Sequence, residues 1–452
     1  MAAITLELAA QWCGGQIDPK YKDVAFIGAN NDTRKLIPGQ LFVALKGVRD
    51  GHEFIPAALE KGAAAVLCEH CDGDYPAIVV PDVRVALGDI ARQERQRLGV
   101  KVVGITGSVG KSTTKEMVAS VLSGTYRVSK TPVNHNNDIG MPMAILAMPA
   151  DTQVAVLEMG MNHFREIAYL SNIAKPDVAV IVNIGTMHIE HLGSVEGILQ
   201  AKLEILEGMG PDGRIILNGD DPLLWNQHNL LNNAVFFGVC NTESDLVGSR
   251  ISTSEGSVSF CAERGKEAFR IELPLEGQHY VSDALAAVAV GLEMQVAPED
   301  ISRRLAQFEN MEGRQEIFRS GEYTIIKDCY NAGPESMEAA LTVLSNKPGR
   351  RIAVLGDMLE LGVCTQAEHY KVGRLAAEKA DMVFAYGPNS DRVLSGAITG
   401  GMPESRASAY EDKEKLVNAL CLQAQPGDVL LFKGSRGMRM ETVLEQFLQT
   451  DR

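Results

Sequence analysis

Short apolar runs alternate along the chain with segments whose apolar positions recur at helical spacing. The clearest runs each end at a glycine and occupy 101–107, 154–160, 178–185, 214–219, 351–356, 382–387 and 429–434. A continuous apolar run of this length predicts a strand that is buried on both faces. Helical segments between such strands predict βαβ units around a parallel sheet, so we expect an α/β fold.

The same pattern divides the chain into three parts. The first hundred residues hold short segments, with helices predicted at 54–62 and 85–98 and a strand at 64–68. Further on, 240–275 alternates polar and apolar residues, which predicts an antiparallel insertion. Long helices are predicted at 277–295 and 298–308, and a new strand pattern occupies 316–328. We therefore expect domains at 1–98, 99–312 and 313–452, in line with the number that 452 residues suggest.

Composition narrows the class of protein. Hydrophobic residues make up 45% of the chain, which argues against intrinsic disorder. The net charge of −15 disfavours nonspecific binding to nucleic acid or to a membrane surface, since such binding needs a basic field. No Lys or Arg precedes Lys20, and no apolar stretch reaches the ~18 residues of a membrane span. We expect a cytoplasmic monomer without a signal peptide or a membrane span.

The eight cysteines are too few for a disulfide scaffold. Cys68 and Cys71 form one C-x-x-C around His70, but no second pair follows to complete a zinc site. We expect reduced thiols.

A phosphate-binding loop is predicted at Gly107, Ser108, Val109, Gly110, Lys111, Ser112 and Thr113. It follows a predicted strand and precedes a helical pattern at 115–122, which is the context that such a loop requires. Backbone N–H groups and the helix N-terminus would hold phosphate oxygens. Lys111 would reach the β- and γ-phosphates and Ser112 would bind Mg²⁺. The match is incomplete, because Ile105 stands where the first glycine is usual.

A nucleoside triphosphate site needs a second acidic ligand for Mg²⁺. Glu158 ends the apolar run 154–158, and the carboxyl end of a strand is where open α/β sheets bind ligands. The alternative is a carboxylate that only begins a helix. Next to the phosphate loop, the metal-binding interpretation is favoured.

Many segments together resemble the Mur ligase family of peptidoglycan synthesis. They are T-G-S-V-G-K-S (106–112), N-H-N-N-D-I-G-M-P (134–142), E-M-G-M-N-H (158–163), M-H-I-E-H-L-G-S (187–194), A-K-L-E-I-L (201–206), N-G-D-D-P (218–222), D-C-Y-N-A-G-P-E-S-M (328–337), G-D-M-L-E-L-G (356–362) and K-G-S-R-G-M-R-M-E (433–441). The resemblance covers essentially the whole chain. It implies an N-terminal UDP-substrate domain, a central P-loop ATPase-type domain with a parallel sheet, and a C-terminal Rossmann-like domain.

The resemblance also implies roles for individual residues. Those of the UDP-sugar site are Asp32, Thr33, Arg34, Lys46, Gly47 and His52. His188 would bind a second Mg²⁺, although a lone histidine after a buried strand is more often structural. Lys202 corresponds to a lysine that is carbamylated in related ligases, which turns an ammonium into an anionic oxygen ligand. Without the resemblance it would be read as a solvated lysine of the helix that the pattern at 195–208 predicts.

Further implied contacts belong to the nucleotide and to the domain cleft. Asn137 lies in the second matching segment, Arg314 and Asp328 would meet the phosphates or ribose, and Asn331 would bind substrate. A surface ion pair is the alternative for Arg314 and Asp328. The segment 433–436 would line the acceptor side.

Three positions depart from the family pattern. Asp283 stands where the family has an asparagine that contacts the base, and it can accept but not donate a hydrogen bond when ionised. Tyr280 replaces an earlier asparagine and could stack, and Gly333 replaces an asparagine before Pro334.

The activity implied by the resemblance is ATP-dependent amide bond formation. D-alanyl-D-alanine would be joined to UDP-N-acetylmuramoyl-tripeptide through an acyl phosphate, with ATP and two Mg²⁺ ions. The third residue of the peptide, lysine or diaminopimelate, is left open. The alternatives are another Mur ligase, a folylpolyglutamate synthase-like ligase, and a P-loop NTPase without ligase activity.

Overall fold

The computed structural model describes residues 3–450. Their strands form four sheets, with two, four, nine and six strands. No helix within that range is long and apolar enough to cross a membrane.

The first part of the chain is a small α/β layer. Its elements are β1 (Ile4–Thr5), α1 (Leu6–Cys13), β2 (Ala25–Phe26), β3 (Ala29–Asn30), β4 (Leu41–Val43), α2 (Ile55–Glu60), β5 (Ala65–Cys68), β6 (Ala77–Val79) and α3 (Val83–Leu98). β1 pairs antiparallel with β2, and β3 to β6 form a parallel sheet in chain order. Helix α3 begins at Val83 rather than at 85, because the Asp82 carboxylate accepts hydrogen bonds from the N–H groups of Arg84 and Val85.

The middle part is built around the nine-stranded sheet. Its elements are β7 (Lys101–Thr106), α4 (Lys111–Leu122), β8 (Val128–Lys130), α5 (Gly140–Leu146), β9 (Val154–Glu158), α6 (Glu166–Ala174), β10 (Val178–Ile181), α7 (Ile189–Leu192), α8 (Val195–Leu203), β11 (Arg214–Asn218), α9 (Pro222–Trp225), β12 (Ala234–Gly238), β13 (Leu246–Ser254), β14 (Ser257–Arg264), β15 (Glu267–Leu273), α10 (Tyr280–Glu293) and α11 (Pro298–Ala306).

The strand order of this sheet is β15-β14-β13-β12-β11-β10-β7-β9-β8. β8 to β13 run parallel, whereas β14 and β15 pair antiparallel, so the predicted antiparallel insertion is confirmed. β7 lies between β9 and β10, and their carboxyl ends are therefore neighbours. The polar residues that follow these three strands meet at one edge, at a switch point of the sheet.

Two predicted helices differ in extent. Helix α10 begins at Tyr280 rather than at 277. The helix predicted at 195–208 ends at Leu203 and continues as a 3₁₀ turn over Glu204–Gly208. At that point the Glu204 carboxylate turns inward and accepts hydrogen bonds from the N–H groups of Arg165 and Ala168. It thereby satisfies donors at the start of α6.

The last part carries the six-stranded sheet. Its elements are β16 (Glu316–Ser320), β17 (Tyr323–Asp328), α12 (Pro334–Ser345), β18 (Arg351–Gly356), α13 (Thr365–Lys379), β19 (Met382–Tyr386), α14 (Ser390–Thr399), β20 (Ala407–Tyr410), α15 (Lys413–Gln423), β21 (Val429–Lys433) and α16 (Met440–Thr450). The order is β16-β17-β21-β18-β19-β20, with only β16 antiparallel.

Buried apolar residues cover both faces of each large sheet. One core is continuous between the first two parts, since Leu87 and Ile90 of α3 share it with Leu157 of β9 and Ile181 of β10. Separate clusters cover the two faces of the six-stranded sheet. Burial on both faces explains the uninterrupted apolar runs in the sequence.

Candidate active site

A cavity of about 560 Å³ lies between the middle and last parts of the chain, at the carboxyl ends of their strands. It brings together most of the residues predicted for nucleotide and metal binding. Those that line it are Ser108, Val109, Gly110, Lys111, Ser112, Thr113, Asn137, Glu158, His188, Asp283, Arg314, Asp328 and Asn331.

The phosphate loop connects β7 directly to α4, which begins at Lys111 rather than at 115. Gly110 has φ +81°, and a Cβ there would lie 2.5 Å from Oδ1 of Asp283, so the loop needs glycine at this point. No side chain caps the start of α4. Its first N–H groups are therefore available to an anion, as phosphate binding requires.

Asn183 holds the loop in shape. Its Oδ1 accepts hydrogen bonds from the N–H groups of Ser108 and Val109, both at 3.0 Å, and its Nδ2 donates to Val109 O at 3.0 Å. The sequence showed Asn183 only as an interruption of an apolar run. A polar residue directly after a buried strand was the signal that could have identified it.

Lys111 folds back over the loop. Its Nζ donates to the carbonyl oxygens of Gly107 at 2.9 Å and Ser108 at 3.1 Å. Burial lowers the pKa of Lys111, and nearby Arg314 adds to this while Glu158 opposes it. The Lys111 ammonium therefore lies at the loop, where the phosphate oxygens of a bound nucleotide would replace the two carbonyl oxygens as its hydrogen-bond acceptors.

Glu158 ends β9 and is 4% exposed. Its Oε1 accepts a hydrogen bond from Asn136 Nδ2 at 2.9 Å, and its Oε2 lies 3.7 Å from Nζ of the buried Lys115. Sequence reasoning assigned no role to Asn136 or Lys115, although Asn136 lies within a matching segment. The Glu158 carboxylate and the Ser112 hydroxyl line the same cavity, and both are oxygen ligands of the kind that Mg²⁺ prefers.

The described chain contains no group of three or more His, Cys, Asp or Glu side chains that could hold a metal ion. Glu158 and Ser112 still fit Mg²⁺, because this ion commonly takes one or two protein ligands and completes its shell with water and substrate phosphates.

His188 directly precedes α7 and has a left-handed backbone conformation, with φ 64°. Its Nδ1 lies 2.7 Å from Oε2 of Glu360, at an angle outside hydrogen-bond geometry, so the contact is a short polar one. His188 lowers the pKa of Glu360. Sequence reasoning did not single out Glu360, which reaches this position from the loop after β18.

Lys202 lies near the end of α8 and is 2% exposed. It does not line the cavity, and its side chain makes no hydrogen bond or ion pair with any residue from 3 to 450. Burial, followed by the charge of Lys111, holds the pKa of Lys202 well below its usual range. The neutral amine is therefore favoured, and this is the form that can react with CO₂.

The departures from the family pattern occupy defined positions. Asp283 is buried, accepts a 3.1 Å hydrogen bond from Thr114 Oγ1, and has its pKa raised by burial to about 7. The ring of Tyr280 lies against His279 with centroids 4.2 Å apart. A Cβ at Gly333 would lie 2.9 Å from Met187 Cγ, so a larger residue at 333 would require Met187 to move.

The last part of the chain contributes one wall. Arg314 donates to Ser112 Oγ at 3.3 Å, and its guanidinium lies 3.9 Å from the centroid of the Tyr330 ring. Asp328 pairs with the buried Lys433 at 2.6 Å. Lys433 also donates to Asn331 O at 3.0 Å, which orders the segment around the predicted substrate residue.

The residues predicted for UDP-sugar binding do not line this cavity. Arg34 and Asp32 form a two-point ion pair that holds the pKa of Asp32 at about 2, and Lys61 donates to Thr33 O at 2.7 Å.

The remaining residues predicted for the UDP-sugar site also lie on the first part of the chain. Lys46 pairs with Glu69, Gly47 N–H donates to Arg49 O, and His52 Nδ1 lies 2.6 Å from Asp50. Their role in substrate binding stays a prediction.

Comparisons with family models cover most of the chain. Residues 24–95 match the model of the Mur ligase family catalytic domain, 105–291 match the Mur ligase middle domain, and 313–436 match the Mur ligase glutamate ligase domain.

Two named relatives match this chain over almost its full length. The UDP-N-acetylmuramoyl-tripeptide–D-alanyl-D-alanine ligase of Bacillus subtilis is 41% identical, covering 97% of this chain and 96% of its own. The ligase of the same name from Escherichia coli is 34% identical, with 98% of each chain covered.

Solved structures agree. A crystal structure of MurF from Acinetobacter baumannii superposes with a TM-score of 0.92 at 32% identity, covering 99% of both chains. MurF ligase from Thermotoga maritima in complex with ADP superposes with a TM-score of 0.82 at 31% identity, over 94% of this chain and 97% of the other.

Proposed function

The chain belongs to the Mur ligase family, and we propose that it joins D-alanyl-D-alanine to UDP-N-acetylmuramoyl-tripeptide at the expense of ATP. The observation that carries this function is that a phosphate loop, a buried acidic residue and residues of the last sheet line a single cavity. A ligase of this kind needs nucleotide, carboxylate donor and amine acceptor to meet at one place.

Each part of the chain would supply one substrate site. Residues 1–98 would hold the UDP-linked donor through Asp32, Thr33, Arg34, Lys46, Gly47 and His52. Residues 99–312 would hold ATP, and 313–452 would hold the dipeptide. The protein is proposed to act as a monomer. The reaction is proposed as a cytoplasmic step of peptidoglycan precursor synthesis.

The first chemical step is transfer of the γ-phosphoryl group of ATP to the terminal carboxylate of the peptide. A carboxylate is a poor acylating agent, and an acyl phosphate provides a good leaving group. The N–H groups at the start of α4 would hold the phosphates, and Lys111 would leave its two carbonyl partners to neutralise their charge. Arg314, which contacts Ser112, and Asp328 would face the nucleotide from the other wall.

Ser112, Glu158, His188 and Lys202 would hold up to two Mg²⁺ ions, which supply neutralisation of the charge that develops on the phosphates. Carbamylation of Lys202 would provide a further anionic oxygen ligand, in addition to the Glu158 carboxylate. The amine is buried and its side chain is unpaired, and burial lowers its pKa, which favours the neutral form that reacts with CO₂ and supports this modification.

The second step is attack of the dipeptide amine on the acyl carbon. A C–N bond forms, the tetrahedral intermediate collapses, and inorganic phosphate leaves with the electron pair of the broken C–O bond. The cleft between the two walls would limit the access of water, which otherwise hydrolyses the acyl phosphate.

The experiment is phosphate release from ATP by the purified protein with UDP-N-acetylmuramoyl-tripeptide, with and without D-alanyl-D-alanine. Both the lysine and the diaminopimelate form of the tripeptide are supplied. We expect release to need the dipeptide, with product mass equal to the sum of the two substrates less one water. Stimulation by glutamate or another single amino acid instead would indicate a different ligase, and release without any acceptor would indicate a simple NTPase.

A further inference from the structure

The turn that carries His188 is held from the opposite side by the last part of the chain. Glu335, at the start of α12, accepts a 3.1 Å hydrogen bond from the N–H of Thr186. Gly333 leaves room for Met187, since a Cβ at 333 would come within 2.9 Å of Met187 Cγ. The turn at 185–190 is therefore part of the interface between the two walls of the cavity.

A second element reaches the same turn from the loop after β18. A Cβ at Gly362 would lie 2.9 Å from Cβ of Glu190, so the two backbones approach closely. Two residues before Gly362, Glu360 places its Oε2 2.7 Å from Nδ1 of His188. This is a direct contact from the last sheet to a residue proposed to bind metal.

Both partners have backbones in the left-handed region, with φ 64° at His188 and φ 64° at Glu360. This conformation is unfavourable for residues other than glycine and persists where the surrounding structure imposes it.

The loop that carries Glu360 is fixed by buried polar groups. His369 Nε2 accepts a 3.0 Å hydrogen bond from the N–H of Met358, and Ser435 Oγ accepts one at 2.9 Å from the N–H of Leu359. Asp357, 2% exposed, accepts a 2.7 Å hydrogen bond from Asn389 Nδ2. These hydrogen bonds fix the loop that carries Glu360. A side chain that orients another group needs such a rigid support.

We propose that Glu360 is a positioning residue that sets the orientation of His188. A carboxylate this close to Nδ1 holds the ring from that side and leaves Nε2 as the nitrogen free for a divalent cation. Because Glu360 belongs to the last part of the chain and His188 to the middle part, the cation site at His188 is complete only when the two walls are docked. This inference rests on the proposed function, which places a cation at His188.

The test is a double-mutant cycle on Mn²⁺ binding, read by electron paramagnetic resonance of the free ion, in the full-length protein with a non-hydrolysable ATP analogue. The variants are E360Q, H188A and the two combined. E338Q is the matched control, because Glu338 is exposed on α12 and its side chain makes no hydrogen bond or ion pair within the described residues. E360Q should weaken Mn²⁺ binding on the order of tenfold in the wild-type background and by less than twofold in H188A. E338Q should match the wild type.

G362A provides a second route, since it alters the docking of the loop without changing a charge. It should weaken Mn²⁺ binding in the same direction as E360Q. In turnover, E360Q should lower kcat on the order of tenfold with the KM for the dipeptide within twofold. The proposal would be overturned if E360Q bound Mn²⁺ as tightly as the wild type. It would also be overturned if E360Q weakened Mn²⁺ binding by the same factor in the wild-type and H188A backgrounds. If the wild type still releases phosphate only when the dipeptide is present, either of these results refutes the role of Glu360 but not the ligase function. If phosphate release by the wild type does not depend on the dipeptide, the ligase function itself is refuted.

Discussion

The hydroxyl of Thr114 donates a 3.1 Å hydrogen bond to Oδ1 of Asp283, and this bond joins the helix after the phosphate loop to the long helix α10. The same oxygen lies where a side chain on Gly110 would be. A change in the charge of Asp283 is therefore felt directly at the phosphate loop.

We predict that Asp283 makes stability depend on pH. Burial raises the pKa of Asp283 from its ordinary 3.8 to about 7, so the fold favours the protonated form. The associated stability is fully present below about pH 4 and is lost as the pH rises to about 7. Asp283→Asn removes this loss, worth at most about 4 kcal/mol. The melting temperature of D283N should exceed that of the wild type by an amount that grows from about pH 4.5 to about pH 7 and is constant above it. A pH-independent difference would contradict the assignment.

Lys111→Ala should abolish ATP turnover, by at least about 10³-fold, because no other ammonium among residues 3–450 donates to the carbonyl oxygens of this loop. Binding of the UDP-linked donor and the melting temperature should change little. Lys101→Ala is the control, since Lys101 is exposed at the start of β7, the strand that leads into the phosphate loop. Turnover in K111A comparable to that in K101A would rule out the phosphate-loop assignment.

Lys202→Arg should remove the capacity for carbamylation while keeping a long cationic side chain. We expect a loss of ligase activity of at least about 10²-fold, with nucleotide binding within a few-fold of the wild type. Wild-type protein incubated with ¹³C-bicarbonate should give a carbamate carbon signal in NMR that K202R lacks. Full activity in K202R, or the same signal in both proteins, would refute the modification.

Arg314→Lys should weaken ATP binding, because an ammonium cannot reproduce both the planar contact with Tyr330 and the hydrogen bond to Ser112. A loss of about 1 kcal/mol corresponds to a KM for ATP roughly fivefold higher. Arg319→Lys is the matched control on the exposed strand β16. An unchanged KM in R314K would remove Arg314 from the nucleotide site.

Periodicity alone predicted the parallel sheets, because strands buried on both faces must be apolar throughout, as at Val154–Glu158 and Val429–Lys433. It did not predict the end of helix α8 at Leu203. That end coincides with an inward turn of Glu204 toward residues 36 to 39 positions earlier in the chain. A local pattern carries no information on such a partner.

The chemistry of the site divides in the same way. The sequence by itself determined that the segment 107–113 connects a strand to a helix and that Glu158 ends a neighbouring strand, since strand, glycine and helix signals are local and parallel strands bring their carboxyl ends to one edge. Only the tertiary structure brought Lys115 and Asn136 to Glu158, Thr114 to Asp283, and Glu360 to His188. These pairs depend on how helices pack and on how two sheets face each other. The spacing of hydrophobic residues along the chain is the same whichever way the helices and sheets are arranged, so it cannot predict such pairs.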